Sequence, residues 1–199
     1  MGVPHLKGVF CLETDWYRNL RKPTTVRPIL ELLEKLDGYQ IPHIYRSIGT
    51  IEEFYFCLSK WTQRAHANYH ILYLAFHGDR EAIFVGDKRR RESRVTLEEL
   101  GEQLRGKCKR RIVLFGSCST LNTTHQNIQR FLHRTGAVGV FGYKADVDWI
   151  TAAMFEMHVL SSMQDHPITR GGLRKMGAQI TSIMPKLSKD LKFRMEVRE

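Results

Sequence analysis

Residues 69–76 read YHILYLAF and are followed by His77-Gly78; residues 112–115 read IVLF and are followed by Gly116-Ser117-Cys118. Neither run alternates between polar and apolar residues. Continuous short apolar runs are what a strand covered on both faces needs, and such strands belong to parallel sheets with helices on either side. The segments around them agree. Residues 7–12 and 137–141 are further apolar strand candidates, and residues 39–45 another. Between them lie amphipathic stretches. Residues 25–36 read as a helix stopped by Asp37-Gly38. The pairs Thr50/Glu53 and Thr96/Glu99 form capping boxes that open helices running to about residues 66 and 106. Residues 125–134, 148–163 and 168–184 complete the helices. Residues 81–95, with a turn at Gly86-Asp87, read as a surface β-hairpin. Strands separated by helices imply an α/β fold: three layers, a mostly parallel sheet flanked by helices on both faces, in one domain over residues 1–199.

Composition sets the class. In 199 residues, 42% are hydrophobic and 26% charged, as in ordinary globular chains. Only the last dozen residues have the composition of a disordered tail. No apolar run reaches the ~20 residues that span a bilayer, and the first residues, MGVPHL, lack the plan of a signal peptide. Leu6 stands where a myristoylation motif on Gly2 needs Ser or Thr. The expectation is a cytoplasmic protein that does not enter the membrane. Cys11, Cys57, Cys108 and Cys118 form no CxxC pair, which argues against zinc and for reduced thiols. No metal or cofactor is called for.

Ligands of open α/β sheets bind beyond the carboxyl ends of the strands. The residues to inspect are therefore His77-Gly78-Asp79, then Gly116 to Thr120, then Tyr143 to Asp148. A thiol and an imidazole at one sheet edge can act as nucleophile and acid–base partner. Gly78 leaves its backbone N–H open to a developing oxyanion, and the N–H of Cys118 could be the second donor. Singly, a lone Cys is most often a small hydrophobe and a strand-end His a surface residue. What separates Cys118 and His77 from the other cysteines and histidines is their joint placement, each just past a buried strand.

These motifs, LYLAFHG and IVLFGSC with Cys118 41 residues after His77, resemble the caspase-like cysteine peptidases: caspases, separase, gingipains and bacterial CHAT peptidases. The segment GVFGYKADVDWITAAMFEMHVL, followed by GGLRKMGAQI, resembles the tail of CHAT domains. The chain lacks the caspase Gln-Ala-Cys-Arg-Gly motif and the tryptophan before the aspartate turn of CHAT domains, where Tyr143 stands. The resemblance implies an endopeptidase acting on a protein or peptide, with Cys118 attacking the carbonyl and His77 protonating the leaving amine. It further implies a role in bacterial immunity or cell death. Ser117, Ser119 and Thr120 would shape the site, the small Ser117 leaving room by the nucleophile. Asp146 is assigned to a pocket favouring Arg or Lys, Asp148 to the same edge and to the cap of the next helix.

Two other classes compete. An inactive caspase-like interaction module would have a misplaced His–Cys pair, whereas both residues are present. A nucleic-acid-binding α/β domain would use the net charge of +10, densest at Lys88 to Arg91 and Lys107 to Arg111. No phosphate-binding glycine loop or aromatic-interleaved basic motif supports it. The basic run at 88–91 is equally a solvated turn, an autolysis site, or a docking patch for an activating protein.

Overall fold

The computed structural model describes residues 6–17, 19, 21–22, 24–36 and 40–199. The helix stop at Asp37-Gly38, the start of the strand expected at residue 39, and all of the amino terminus before Leu6 lie outside them. The strands are β1 (Val9–Glu13), β2 (His43–Ser47), β3 (Ile71–Ala75), β4 (His77–Asp79), β5 (Ala82–Phe84), β6 (Arg94–Thr96), β7 (Ile112–Phe115), β8 (Gly139–Tyr143) and β9 (Phe193–Val197). The helices are α1 (Arg27–Lys35), α2 (Ile51–Trp61), α3 (Leu97–Gln103), α4 (His125–Thr135), α5 (Trp149–Asp165), α6 (Arg170–Ile183) and α7 (Pro185–Asp190).

Six strands form one sheet in the order β2-β1-β3-β7-β8-β9, parallel except for the last pair. The two quoted runs are its central neighbours, β3 and β7. Strand residues alternate between two helical layers. Phe10, Leu12, Leu72, Leu74, Val113 and Phe115 pack with Phe54 of α2, Leu100 of α3 and Leu132 of α4. Val9, Cys11, Ile71, Tyr73, Leu114 and Phe141 pack with Leu30 of α1, Phe155 of α5 and Met176 of α6. This is the three-layer α/β fold expected of fully buried strands. Both capping boxes form: Thr50 accepts from the N–H of Glu53, and Thr96 from that of Glu99. Gly136, at φ 80°, ends α4 in the left-handed conformation that a Cβ disfavours.

Three readings are corrected. The run at residues 69–76 is not one strand into the site. β3 ends at Ala75, and His77 opens β4, which pairs with β5 in a separate antiparallel sheet, β4-β5-β6. The apolar run hides this break because Phe76 is itself fully buried. The carboxyl-terminal residues are not a disordered tail. α7 starts at a proline, where the missing N–H costs nothing, and β9 pairs antiparallel with β8. Lastly, β8 runs two residues beyond the expected Phe141, because Gly142 and Tyr143 pair with Arg194 and Phe193 of β9. Among the described residues, no helix is long and apolar enough to cross a membrane.

Candidate functional site

A pocket of about 160 Å³ opens at the carboxyl edge of β3 and β7. His77, Cys118 and Gly116 line it, with Trp16 and Val26 from the β1–α1 loop. Val147, Trp149, Ala152, Ala153 and Glu156 come from the start of α5 and the turn before it. A wider groove of about 440 Å³ joins it at Trp16 and His77, continuing past Thr14, Ser47, Gly49, Asp87 and Lys88.

His77 is half-buried, and its Nε2 lies 2.8 Å from the carbonyl of Trp16. A carbonyl only accepts, so Nε2 carries the proton and Nδ1 the basic lone pair. Trp16 also packs edge-on against the His77 ring, at 5.3 Å between centroids. The β1–α1 loop that presents Trp16 is anchored by Glu13 at the end of β1. The Glu13 carboxylate accepts from Trp16 Nε1, Thr25 Oγ1, the Val26 N–H and the Tyr45 hydroxyl. Burial lowers the pKa of His77; the Trp16 hydrogen bond opposes this and the Lys88 charge adds to it.

Cys118 sits at the head of a tightly tied turn. The Ser117 hydroxyl donates to the carbonyl of Leu74, Thr120 to those of Ala82 and Cys118, and Ser119 adopts a left-handed φ of 54°. Burial raises the thiol pKa; a backbone hydrogen bond from Val147 works against the rise, and the charge of Asp146 adds to it. With the thiol pushed up and the imidazole down, the resting pair is neutral. Gly78 lies against this turn so closely that a Cβ would overlap the Cys118 carbonyl oxygen and the Thr120 hydroxyl. The glycine is thus required by the close approach of these two segments.

The remaining expected residues stand elsewhere. Ser117 is buried and turned toward β3, not into the pocket. Asp146 is exposed and accepts from Ser119 Oγ at 2.8 Å. Asp148 is the N-cap of α5, accepting from the N–H of Thr151 at 2.9 Å and from its hydroxyl at 2.7 Å. Neither aspartate lines the pocket. The carboxylate that does is Glu156, two turns into α5 and 4% exposed. Tyr73 and Tyr143 each donate a hydroxyl to it. Burial pushes its pKa up to about 7, with the two tyrosine hydrogen bonds acting against the rise. A sequence signal existed: Glu156 is the single acidic residue within the apolar stretch WITAAMFEMHVL. Trp16, Trp149 and Glu13 gave none, because they are set by tertiary contact. Among the described residues no group of His, Cys, Asp or Glu is arranged to hold a metal ion.

The model of DUF6642, a family of unknown function, matches residues 7–195. The chain belongs to this family. A comparison with curated proteins gave no match. Among solved structures, this DUF6642 chain is similar to a secreted C11 cysteine protease from Bacteroides thetaiotaomicron, solved by X-ray with an irreversible peptide inhibitor. The TM-score is 0.49 and the identity 11%, over 78% of this chain and 53% of that one. The DUF6642 chain therefore spans about half the length of that protease.

Proposed function

We propose that this protein is a cysteine peptidase of the caspase-like kind, closest to CHAT peptidases, in which Cys118 and His77 form the catalytic dyad. The observation that carries the reading is that both side chains line one pocket, with His77 held by the Trp16 carbonyl in the tautomer that leaves Nδ1 basic. The substrate is a peptide lying along the groove past Trp16 and His77, with one side chain in the pocket. The Cys118 thiol gives its proton to Nδ1 of His77 as Sγ attacks the peptide carbonyl carbon. The carbonyl π electrons move to oxygen, and backbone N–H groups of Gly78 and Cys118 are the donors proposed for that oxyanion. On collapse, the C–N bond breaks and His77 protonates the leaving amine. Water then attacks the thioester, losing a proton to His77, and the carboxylic acid leaves as Sγ takes its proton back. Cleavage follows a basic residue. The four free thiols fit a reducing compartment, the cytoplasm.

Fluorogenic peptides and iodoacetamide labelling test the dyad. Cys118→Ala should abolish hydrolysis, and His77→Ala should lower it by about 10²–10⁴-fold. Labelling should reach Cys118 well ahead of Cys11 and Cys108, both buried with raised pKa values. Hydrolysis that survives Cys118→Ala would refute the assignment.

A further inference from the structure

Among the described residues two carboxylates are buried, both on the same side of the sheet, and they are not satisfied alike. Glu13 is 2% exposed and receives four hydrogen bonds: Trp16 and Val26 on Oε1, Thr25 and Tyr45 on Oε2. That fills the roughly four acceptor sites of a carboxylate. Glu156 receives one bond on each oxygen, Tyr143 on Oε1 and Tyr73 on Oε2. Half its acceptor capacity is open, and it forms part of a pocket wall. Among the described residues no lysine or arginine lines that pocket, although buried charge is ordinarily paired.

The space above Glu156 is built by omission. Ala75 lies opposite Glu13 in the ladder, and Gly116 follows β7. A Cβ on Gly116 would stand 2.6 Å from the Tyr73 ring and 3.1 Å from Glu156 Oε1. Trp16, Val26, Val147, Trp149, Ala152 and Ala153 give the rest of the pocket an apolar wall. At about 160 Å³ it holds the volume of about five waters, suited to one long side chain with an apolar stem.

We propose that Glu156, rather than an aspartate of the turn before α5, is the specificity determinant, and that it selects arginine at the residue before the cleaved bond. The stem lies against the tryptophans and the guanidinium reaches the carboxylate. One open acceptor site on each oxygen matches the two parallel N–H groups of a guanidinium better than the single ammonium of lysine. The groups facing Glu156 are the hydroxyls of Tyr73 and Tyr143, with the thiol of Cys11 in electrostatic reach and His77 and Cys118 across the pocket. All of these are neutral in the resting site, so among the described residues lining the pocket the guanidinium meets Glu156 as its carboxylate. The charges of Lys88 and Asp146 reach His77 and Cys118 from outside it, and Glu13 lies beyond Cys11. Ionisation near pH 7 makes it available on demand.

This assignment deepens the peptidase reading and rests on it for the word "cleaved", so the test separates binding from hydrolysis. Nα-acetyl-arginine amide and its uncharged isostere Nα-acetyl-citrulline amide are titrated calorimetrically into the Cys118→Ala protein. Arginine amide should bind about 10–100-fold more tightly at pH 8, the worth of hydrogen bonds to a charged group. Adding Glu156→Gln should reduce that ratio to about threefold or less. Equal binding of the two amides, no detectable binding of the arginine amide, or a ratio that survives in folded Glu156→Gln protein overturns the inference. Should that variant fail to fold, the Cys118→Ala protein decides alone: the ratio must fall as pH drops from 8 to 6, and a flat ratio overturns it. Wild-type turnover of an arginine peptide then separates the two claims. Arginine-selective binding without Cys118-dependent cleavage leaves the pocket standing and removes the peptidase. Cys118-dependent cleavage that ignores arginine does the reverse.

Discussion

The two faces of the central sheet are made by alternate residues of the same strands, yet they have different chemistry. Toward α2, α3 and α4 the strands present Phe10, Leu12, Leu72, Leu74, Val113, Phe115 and Val140, all apolar. Toward α1, α5 and α6 they present Cys11, Glu13, Tyr73 and Tyr143 among the apolar residues, and α5 adds Glu156. One face is built for stability. The other accepts the desolvation of two carboxylates, a cost that hydrogen bonds only partly offset. Such groups concentrate beneath the pocket that holds His77 and Cys118, as expected where folding yields to function. The comparison can be broken by substituting one residue from each face.

The largest effect belongs to the apolar face. Leu74→Ala removes a fully buried side chain between α2 and β7 neighbours and should destabilise the fold by about 2–5 kcal/mol in urea titrations. Activity per folded molecule should hold. Glu156→Gln, on the other face, should do the opposite. Its folded pKa of about 7 lies above the ordinary carboxyl value, so the stability linked to this group is full below that ordinary value and lost as pH rises through about 7. Glutamine removes the titration. The variant should match wild type at pH 4 and exceed it by roughly 3 kcal/mol at pH 9, with urea midpoints at both pH values as the measure. Identical pH dependence in the two proteins would mean that Glu156 is not the titrating group.

Gly116→Ala sharpens the contrast at one atom. The new methyl would press on the Tyr73 ring and on Glu156. Overpacking should cost about 1–3 kcal/mol, and cleavage after arginine should fall more than reaction of Cys118 with small alkylating agents. Similar losses in both assays would place the damage at the thiol rather than in the pocket.

How much of this was legible follows the same division. β3 and β7 were readable because a doubly covered strand must be continuously apolar, and Thr50/Glu53 and Thr96/Glu99 because a capping box is local. The strand-end positions of His77 and Cys118 follow from those strands. The rest depends on distant contacts. The break after Ala75 leaves no mark in an apolar run, since Phe76 is buried on leaving the sheet. β9 reads as a charged tail: Arg194 and Glu196 in FRMEV pair with each other along an edge strand, which needs only one covered face. Glu156 stands inside a helix whose apolar residues read as packing, and only the fold brings it under Gly116.

The smallest effect concerns the aspartates. Asp148 and Asp146 flank Val147 at the rim, and on sequence alone either could read substrate charge. Asp148 is committed to the first turn of α5: the Thr151 hydroxyl and N–H hold its carboxyl below the usual range. Its contribution is therefore present above the ordinary carboxyl pKa and lost as pH falls through the lowered one. Asp148→Ala should lower Tm by about 2–4 °C at pH 7, the usual scale for losing a helix cap in a chain of this size, and by less near pH 3. Phe155, Val159, Leu160 and Met163 bury the rest of α5, so Glu156 should keep its place when the first turn frays. Arginine preference should thus be unchanged in Asp148→Ala and in Asp146→Asn, measured as the ratio of turnover on arginine and citrulline peptides. A ratio that falls in either aspartate variant while surviving Glu156→Gln would move the charge recognition from the polar face of the sheet to the rim. The buried carboxylate would then be a cost with no use at the pocket.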